Sequence, residues 1–240
     1  MPCAIPILMY HNVDRPRSGA KLRGLYVLPR MFRLQMRMLK LMGYRGLSMS
    51  DLLPYLRGEQ SGKVVGITFD DGYLDNLTYA LPVLRRLGFG ATCYLVNNCI
   101  GADNRWDQAK GIDAKPLMDR EQIRQWLAAG MEIGAHTLDH ADLSHCGADQ
   151  LQAQIRDARQ QLEALFQVPV EHFCYPYGAY NDEVVEQVRA AGYQSATTTR
   201  RSRARPGDPL LELPRVPVYR STLPHLFWAK IATAYEDRRG

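Results

Sequence analysis

Short apolar runs alternate along the chain with segments in which apolar residues recur every three or four positions. The runs predict buried strands, and the segments predict amphipathic helices. The predicted strands are Ala4–Tyr10, Val64–Phe69, Ala91–Val96, Met131–Gly134, His172–Tyr175, Gln194–Thr198 and Leu213–Val218. The predicted helices are Met31–Met42, Leu77–Leu87, Asp119–Ala129, Ala148–Phe166, Asn181–Ala191 and Thr222–Tyr235.

Strands that alternate with helices are typical of an α/β fold with a parallel sheet. Seven such strands in 240 residues favour a distorted (β/α) barrel, and an open doubly wound sheet is the alternative. No linker, repeat or low-complexity tract divides the chain, so we expect residues 1–240 to form a single domain. The segment Asn97–Pro116 is long, polar and weakly patterned, which predicts a functional loop or lid.

Composition and charge narrow the class of protein. Apolar residues make up 46% and charged residues 23%, which argues against a disordered or fibrous chain. The net charge is +5, with a basic cluster at Arg200–Arg205 that no aromatic residues interrupt, so nucleic-acid binding is not expected. We see neither an apolar run long enough to cross a membrane nor a signal peptide. Five cysteines without CxxC spacing favour reduced thiols, and we expect a cytoplasmic protein.

Polar residues follow several of the predicted strands. His11 follows the first strand, and Asp70 and Asp71 follow the second; His136 and His140 lie beyond the fourth. In a parallel barrel these strand ends meet at one face, where active sites form. Two histidines four residues apart, together with one carboxylate, can hold a divalent ion and leave positions open for water and substrate. The second carboxylate would then be free to accept a proton.

Three motifs resemble those of the polysaccharide deacetylases, the NodB-homology or carbohydrate esterase family 4 group. They are Thr68–Tyr73, Glu132–His140 and Tyr175–Gly178, and their pattern is closest to the poly-N-acetylglucosamine deacetylase branch. The resemblance implies a distorted (β/α) barrel. It also implies metal-dependent removal of acetyl groups from an N-acetylated amino sugar in a polysaccharide, an oligosaccharide or a glycan precursor.

The resemblance also implies a role for each matching residue. Asp70 matches the general base, and Tyr177 matches the residue whose backbone N–H helps to bind the oxyanion. The metal ligands would be Asp71, His136 and His140. Zinc is the ion expected for two imidazoles and a carboxylate, although cobalt, nickel or iron could bind the same set.

The sequence departs from the family pattern at two places. Cys174 stands where many members carry an arginine that tethers the base, so Asp70 must be oriented by another group, for which Arg215 is the candidate. Many members also supply the general acid from a histidine near the C-terminus. Here His11, at the end of the first strand, resembles a permuted version of that position, and we favour it as the acid over His225.

We expect an N-acetylated carbohydrate as the partner, with substrate contacts from Tyr73, Trp106, Tyr177 and Arg215. The substrate could be lipid-linked, with Arg200–Arg205 facing a membrane surface. Two other functions stay open. The first is a metal-dependent amidohydrolase for a small non-sugar amide or imide, and the second is a carbohydrate-binding relative with a weak or inactive site. The oligomeric state is not predicted.

Overall fold

A computed structural model describes residues 4–239 of the protein. Within these residues the strands are β1 (Ile7–Tyr10), β2 (Arg45–Leu47), β3 (Val64–Phe69), β4 (Thr92–Leu95), β5 (Glu132–Ala135), β6 (His172–Cys174), β7 (Ser195–Arg201) and β8 (Leu213–Pro217). The α-helices are α1 (Pro29–Leu41), α2 (Met49–Leu56), α3 (Leu81–Leu87), α4 (Arg120–Ala128), α5 (Ala148–Gln152), α6 (Ala158–Phe166), α7 (Asp182–Ala190) and α8 (Pro224–Ala232).

Seven parallel strands close into a barrel. β3 to β8 pair in chain order, and β1 completes the ring by pairing with β8 on one edge and with β3 on the other. The predicted barrel is therefore confirmed, and the open sheet is excluded. The first strand of the chain lies between the last strand and β3, so that the residue after β1 reaches the same end of the barrel as the residue after β3.

One strand and one helix are missing from the sequence prediction. β2 pairs with Val64–Gly66, the first half of β3. β4 pairs with the same edge of β3 further along, at Thr68 and Phe69. A three-residue strand is too short to show periodicity. The next helix, α2, contains Pro54 and begins at Ser48, whose hydroxyl accepts the N–H of Asp51. Proline within a helix is a stop signal, which is why the pattern hides α2.

Three predicted helices differ from the observed ones. A π-helical turn at Ala153–Asp157 separates α5 from α6, and another at Asn76–Ala80 precedes α3. The last helix begins at Pro224 and ends at Ala232, not at Thr222 and Tyr235. Thr222 does not cap it, because the Thr222 hydroxyl instead accepts the N–H of Tyr219 in the preceding turn.

An aromatic cluster fixes the ends of β1 and β3. Tyr10 and Phe69 are neighbours in the register and stack with their centroids 5.6 Å apart. Phe32 of α1 contacts the Tyr10 ring edge-on at 5.2 Å, and Trp126 of α4 contacts Phe69 at 5.8 Å. Such pairs add to the stabilisation from apolar burial. Tyr10 and Phe69 directly precede His11 and Asp70, so this packing positions both residues of the site.

Three arginines of the basic cluster at Arg200–Arg205 form ion pairs with acidic residues near the end of the chain. Arg201 pairs with Glu236 at 2.8 Å, and Arg203 and Arg205 pair with Asp237 at 2.8 and 3.3 Å. Arg200 instead donates to the backbone carbonyl oxygen of Glu212 at 3.1 Å, and the membrane contact of this segment stays a prediction. The three paired arginines attach the C-terminal residues to β7 and the loop after it.

Two further properties concern the whole described chain. No helix between residues 4 and 239 is both long enough and apolar enough to cross a membrane. Cys93, Cys99, Cys146 and Cys174 are free thiols, whereas Cys3, also predicted to be reduced, lies outside the described residues.

Candidate active site

A cavity of about 400 Å³ opens at the carboxyl ends of the barrel strands. It gathers most of the predicted site residues from five separate segments of the chain. The predicted residues that line it are His11, Asp70, Asp71, Trp106, His136, His140 and Tyr177. The long loop and the segment after β1 supply the outer wall, which includes Lys21, Leu22, Leu25, Lys110 and Ile112.

Asp71, His136 and His140 converge at the base of this cavity. The Oδ1 atom of Asp71 lies 3.5 Å from Nε2 of His136 and 3.3 Å from Nε2 of His140, and all three side chains are buried. Nδ1 of His136 lies 2.7 Å from the carbonyl oxygen of Cys174. A hydrogen bond from this N–H to the carbonyl orients the ring and leaves Nε2 free to bind a metal.

The protonation states of these groups fit a divalent ion. Burial opposes ionisation of Asp71, yet its hydrogen bonds with His136 and His140 hold its pKa well below the ordinary value. Burial lowers the pKa of His140 by more than Asp71 raises it, which favours the neutral imidazole that binds metals. Burial opposes protonation of His136, but Cys174 and Asp71 outweigh it and raise the pKa of His136 well above the ordinary value, so a cation bound here would replace the proton on Nε2. One carboxylate and two imidazoles, within 4.8 Å of one another, form a donor set suited to an ion with open coordination positions.

Asp70, although adjacent to Asp71 in sequence, faces a different partner. Nη1 and Nη2 of Arg215 donate to Oδ1 and Oδ2 of Asp70 at 2.6 and 2.8 Å. Arg215 is fully buried, and it also donates to the Thr68 hydroxyl and to the carbonyl oxygen of Thr198. A bidentate pair of this kind fixes both the position and the plane of the carboxylate.

Arg215 therefore takes the place of the missing family arginine. Cys174, on β6, contacts Nη2 of Arg215 through its sulfur at 3.3 Å, so the small side chain leaves room for an arginine that arrives from β8. The expectation that Arg215 orients Asp70 agrees with this geometry. Its predicted contact with substrate is wrong, because the side chain has no exposed surface.

The surroundings of Asp70 keep its carboxylate ionised. Burial on its own would raise the pKa of Asp70, but the charges of Arg215 and His11 outweigh it and hold the pKa below the ordinary value. Nε2 of His11 lies 3.7 Å from Oδ2 of Asp70, and the His11 side chain is partly exposed to the cavity. The carboxylate and the imidazole thus flank the same space.

Asp75 and Asn76 position His11 and were missed by the sequence analysis. The Asn76 side-chain amide donates to the carbonyl oxygen of His11 at 2.8 Å, and Oδ1 of Asp75 accepts the N–H of Val13 at 2.8 Å. Nζ of Lys115 lies 2.8 Å from Oδ2 of Asp75. The only feature of the sequence that could have indicated their role is that both residues closely follow the Asp70–Gly72 turn.

Part of the segment predicted to be a lid covers the metal-ligand cluster. The ring of Trp106 stacks on His140 with the centroids 4.6 Å apart, and the ring of Tyr177 contacts His140 edge-on at 4.6 Å. Nζ of Lys110 lies 4.4 Å from the centre of the Tyr177 ring. Lys21, in the segment after β1, donates to the carbonyl oxygen of Lys110 at 2.8 Å, so two loops close over one side of the cavity.

The backbone of the site is unusual. Five of the six non-glycine residues with positive φ in the described chain line the cavity or lie beside its ligands; they are Leu22, Asp71, Thr137, His140 and Tyr177. This conformation costs free energy for side chains other than glycine, and it concentrates at functional sites. It turns the side chain of Asp71 away from Asp70 and towards the histidines.

Besides Arg215, two predicted residues lie outside the cavity. Tyr73 is buried against Val96, Cys99 and Leu117, so its ring is not available to stack on a sugar. His225 is the second residue of α8, on the outside of the barrel, and it is exposed to solvent. It therefore does not compete with His11 for the role of acid.

Comparison with known proteins agrees with this fold and shows the family. A family model described as polysaccharide deacetylase matches residues 57–196, more than half of the chain. The protein YxkH of Bacillus subtilis (strain 168), named as a polysaccharide deacetylase, is 32% identical over 219 residues, which cover 90% of this chain and 72% of that protein. The chain therefore belongs to the polysaccharide deacetylase family.

Two further relatives show how far the likeness extends. The poly-β-1,6-N-acetyl-D-glucosamine N-deacetylase of Staphylococcus epidermidis is 25% identical over 215 residues, which cover 83% of this chain and 70% of that protein. The structure of the Streptococcus pyogenes deacetylase PplD in complex with acetate superposes with a TM-score of 0.83 at 26% identity. The superposition covers 96% of this chain and 99% of that one.

The Arg215–Asp70 pair predicts a measurable coupling. Replacing Arg215 with Met leaves the Asp70 carboxylate buried without its partner, which we expect to lower the free energy of unfolding by about 3 kcal/mol at pH 7. Adding Asp70→Asn should recover part of that loss, because the uncompensated charge is removed. Urea unfolding of the two single variants and the double variant measures the coupling.

Arg189→Met is the matched control for this cycle, because Arg189 pairs with Glu186 on the exposed surface of α7. We expect it to change the free energy of unfolding by less than about 0.5 kcal/mol.

The pKa of Asp70 is lowered in the folded state, so the pair stabilises the protein above the unfolded-state pKa. That contribution should fade as the pH falls through the folded-state pKa. Strictly additive losses in the cycle would contradict the coupling.

Proposed function

We propose that the protein removes acetyl groups from the amide nitrogen of an N-acetylated amino sugar, with a zinc ion held by Asp71, His136 and His140. The observation that carries this proposal is that two adjacent carboxylates contact different partners. Asp71 faces two imidazoles, while Asp70 faces Arg215 and His11. One carboxylate is thus placed to bind a cation and the other to accept a proton.

When bound by these three ligands, the ion supplies a Lewis acid that polarises the acetamide carbonyl and lowers the pKa of a water molecule. Zinc fits two imidazoles and one carboxylate, and cobalt, nickel or iron could occupy the same ligands. The hydrogen bond between His136 and the carbonyl oxygen of Cys174 sets the tautomer in which Nε2 is the binding atom.

Asp70 acts as the general base in this proposal. Its carboxylate opens onto the cavity beside the metal ligands, and Arg215 holds it ionised and in a fixed plane. Each carboxylate oxygen has a lone pair left after binding one guanidinium N–H, so Asp70 can still accept a proton from the attacking water. Arg215 is a positioning residue, because it touches Asp70 and not the cavity.

The tetrahedral oxyanion and the leaving amine need partners of their own. Tyr177, at φ 60°, lies at the wall of the cavity, and we assign its backbone N–H to the oxyanion. His11 lines the same cavity, with Nε2 3.7 Å from Oδ2 of Asp70, and we assign it the role of the acid that protonates the amine. Asn76 and Asp75 hold the backbone around His11 in place.

The wall of the cavity fits a sugar ring. Trp106 is partly exposed, and one of its faces rests on His140, so it can offer only its other face or its edge to a pyranose. Tyr177 is 46% exposed, and Leu22 is 50% exposed at the opposite loop. Apolar and aromatic groups around a few polar ones are typical of ligand cavities.

The relatives support a saccharide substrate. One is named for its action on poly-β-1,6-N-acetyl-D-glucosamine, and another binds acetate, which is the product of deacetylation. No described residue specifically favours a small amide or imide, or an inactive carbohydrate-binding role. A lipid-linked substrate, the cytoplasmic location and the single domain over residues 1–240 stay predictions.

An acetate-release assay tests the proposal directly. We expect the zinc-loaded protein to release acetate from N-acetylglucosamine oligomers, to lose activity with a chelator, and to regain it when zinc is returned. Asp70→Asn should lower kcat/KM at least ~100-fold while the zinc content is retained. Asp149→Asn, at an exposed carboxylate in the first turn of α5, is the matched control and should leave kcat/KM within about twofold.

Near wild-type turnover by Asp70→Asn would refute the assignment of the base. Turnover of cyclic imides without any turnover of N-acetylated sugars would instead establish the amidohydrolase alternative. Saccharide binding with no turnover at full zinc occupancy would establish an inactive binding protein.

A second assay separates His11 from His225. We expect His11→Gln to lower the rate of amide hydrolysis ~100-fold or more, because the amine is a poor leaving group without a proton. The same variant should retain most of its activity on 4-nitrophenyl acetate, whose leaving group needs no acid. His225→Gln is the matched control and should not change either rate. If His11→Gln lost the same fraction of its activity on both substrates, that result would contradict the role of His11 as the acid.

A further inference from the structure

The positive charge of the protein is concentrated on one face outside the active site. Helices α1 and α3 pack side by side on the barrel, and together they hold six of the 30 basic residues and none of the 25 acidic ones. The rest of the chain is therefore close to neutral. The six residues, which we call the α1–α3 basic face, are Arg30, Arg33, Arg37, Lys40, Arg85 and Arg86.

The outward side of α1 alternates basic and apolar residues. Arg30, Leu34, Arg37 and Leu41 follow one another at intervals of four, three and four, so they form a single stripe along the helix. Leu34 is 41% exposed and Leu41 is 87% exposed. The opposite side of α1 carries the buried core residues Phe32, Gln35, Met36 and Leu39. The exposed leucines are thus additional to those that the fold requires.

A groove of about 300 Å³ runs between the two helices. Arg33, Arg37 and Arg86 line it, with Pro82, Val83 and Leu87 as its apolar wall. Lys40 donates to the carbonyl oxygen of Leu87 at 3.3 Å, which ties the ends of α1 and α3 together. The arginines of the two helices thus converge on one rigid surface.

The arginines of this face lack acidic partners in the described part of the chain. Among residues 4–239, none of the five arginines on α1 and α3 forms an ion pair or donates a side-chain hydrogen bond. Arg201, Arg203 and Arg205 show the opposite behaviour, because each of them pairs with Glu236 or Asp237. Repulsion among unpaired arginines is unfavourable unless an anionic partner relieves it.

We propose that the α1–α3 basic face binds the surface of a bilayer that contains anionic lipids. Guanidinium groups form strong paired hydrogen bonds with phosphate, and basic residues near an anionic bilayer are attracted to it. Leu34 and Leu41, which lie in the same stripe as Arg30 and Arg37, would leave water for the boundary between head groups and acyl chains. A soluble polyanion would leave both leucines exposed, which is why we favour a bilayer.

Sedimentation with lipid vesicles tests this proposal. The protein is mixed with one of two kinds of vesicle. The first is phosphatidylcholine with about 30% phosphatidylglycerol, which gives an anionic surface, and the second is pure phosphatidylcholine. We expect binding to the anionic vesicles only. Arg30→Gln, Arg33→Gln and Arg37→Gln combined should weaken it at least tenfold, and Leu34→Ser with Leu41→Ser should weaken it at least threefold.

The matched control removes the same three charges elsewhere. Arg120→Gln, Arg124→Gln and Arg189→Gln combined change exposed residues of α4 and α7, and binding should stay within about twofold. An equal loss in the control would show attraction by bulk charge alone and overturn the proposal. Binding to soluble polyphosphate would also overturn the proposal if it were as tight as binding to the vesicles and were unchanged by the two leucine substitutions. Unchanged acetate release by all three variants confirms that they are folded.

Discussion

The buried ion pair between Arg215 and Asp70 is the interaction on which the site depends. It joins β8 to the residue after β3 across the inside of a closed barrel, with two hydrogen bonds of 2.6 and 2.8 Å. A buried charge without a partner is costly, so the pair is stable only if the barrel holds both strands in register. Because β1 closes that ring, the same constraint brings His11 beside Asp70.

The remaining parts of the site are shaped by backbone geometry rather than by side-chain identity. Left-handed conformations at Asp71, His140 and Tyr177 direct neighbouring residues to different partners, and the aromatic cluster below them keeps the strand ends rigid. The free energy lost in these strained turns is recovered by core packing elsewhere. Two loops, joined by the bond from Lys21 to Lys110, then enclose the cavity.

The sequence predicted those features of the fold and the site that depend on local patterns of residues. It did not predict features that depend on contacts between residues far apart in the chain. Seven of the eight strands could be predicted from local periodicity, and the cluster of Asp71, His136 and His140 from their positions after two of those strands. The burial of Tyr73 could not, because it depends on a loop that folds back over the ring. The pairing of Arg201, Arg203 and Arg205 could not be predicted either, since only the fold places Glu236 and Asp237 beside them.

The pH dependence of kcat/KM, measured for the wild type and for Arg215→Met at equal metal content, tests the central claim most directly. If Arg215 holds Asp70 ionised, its removal leaves burial to raise the pKa of that carboxyl, and the acidic limb of the profile should move up by about one pH unit or more. An acidic limb at the same pH in both proteins would contradict the account.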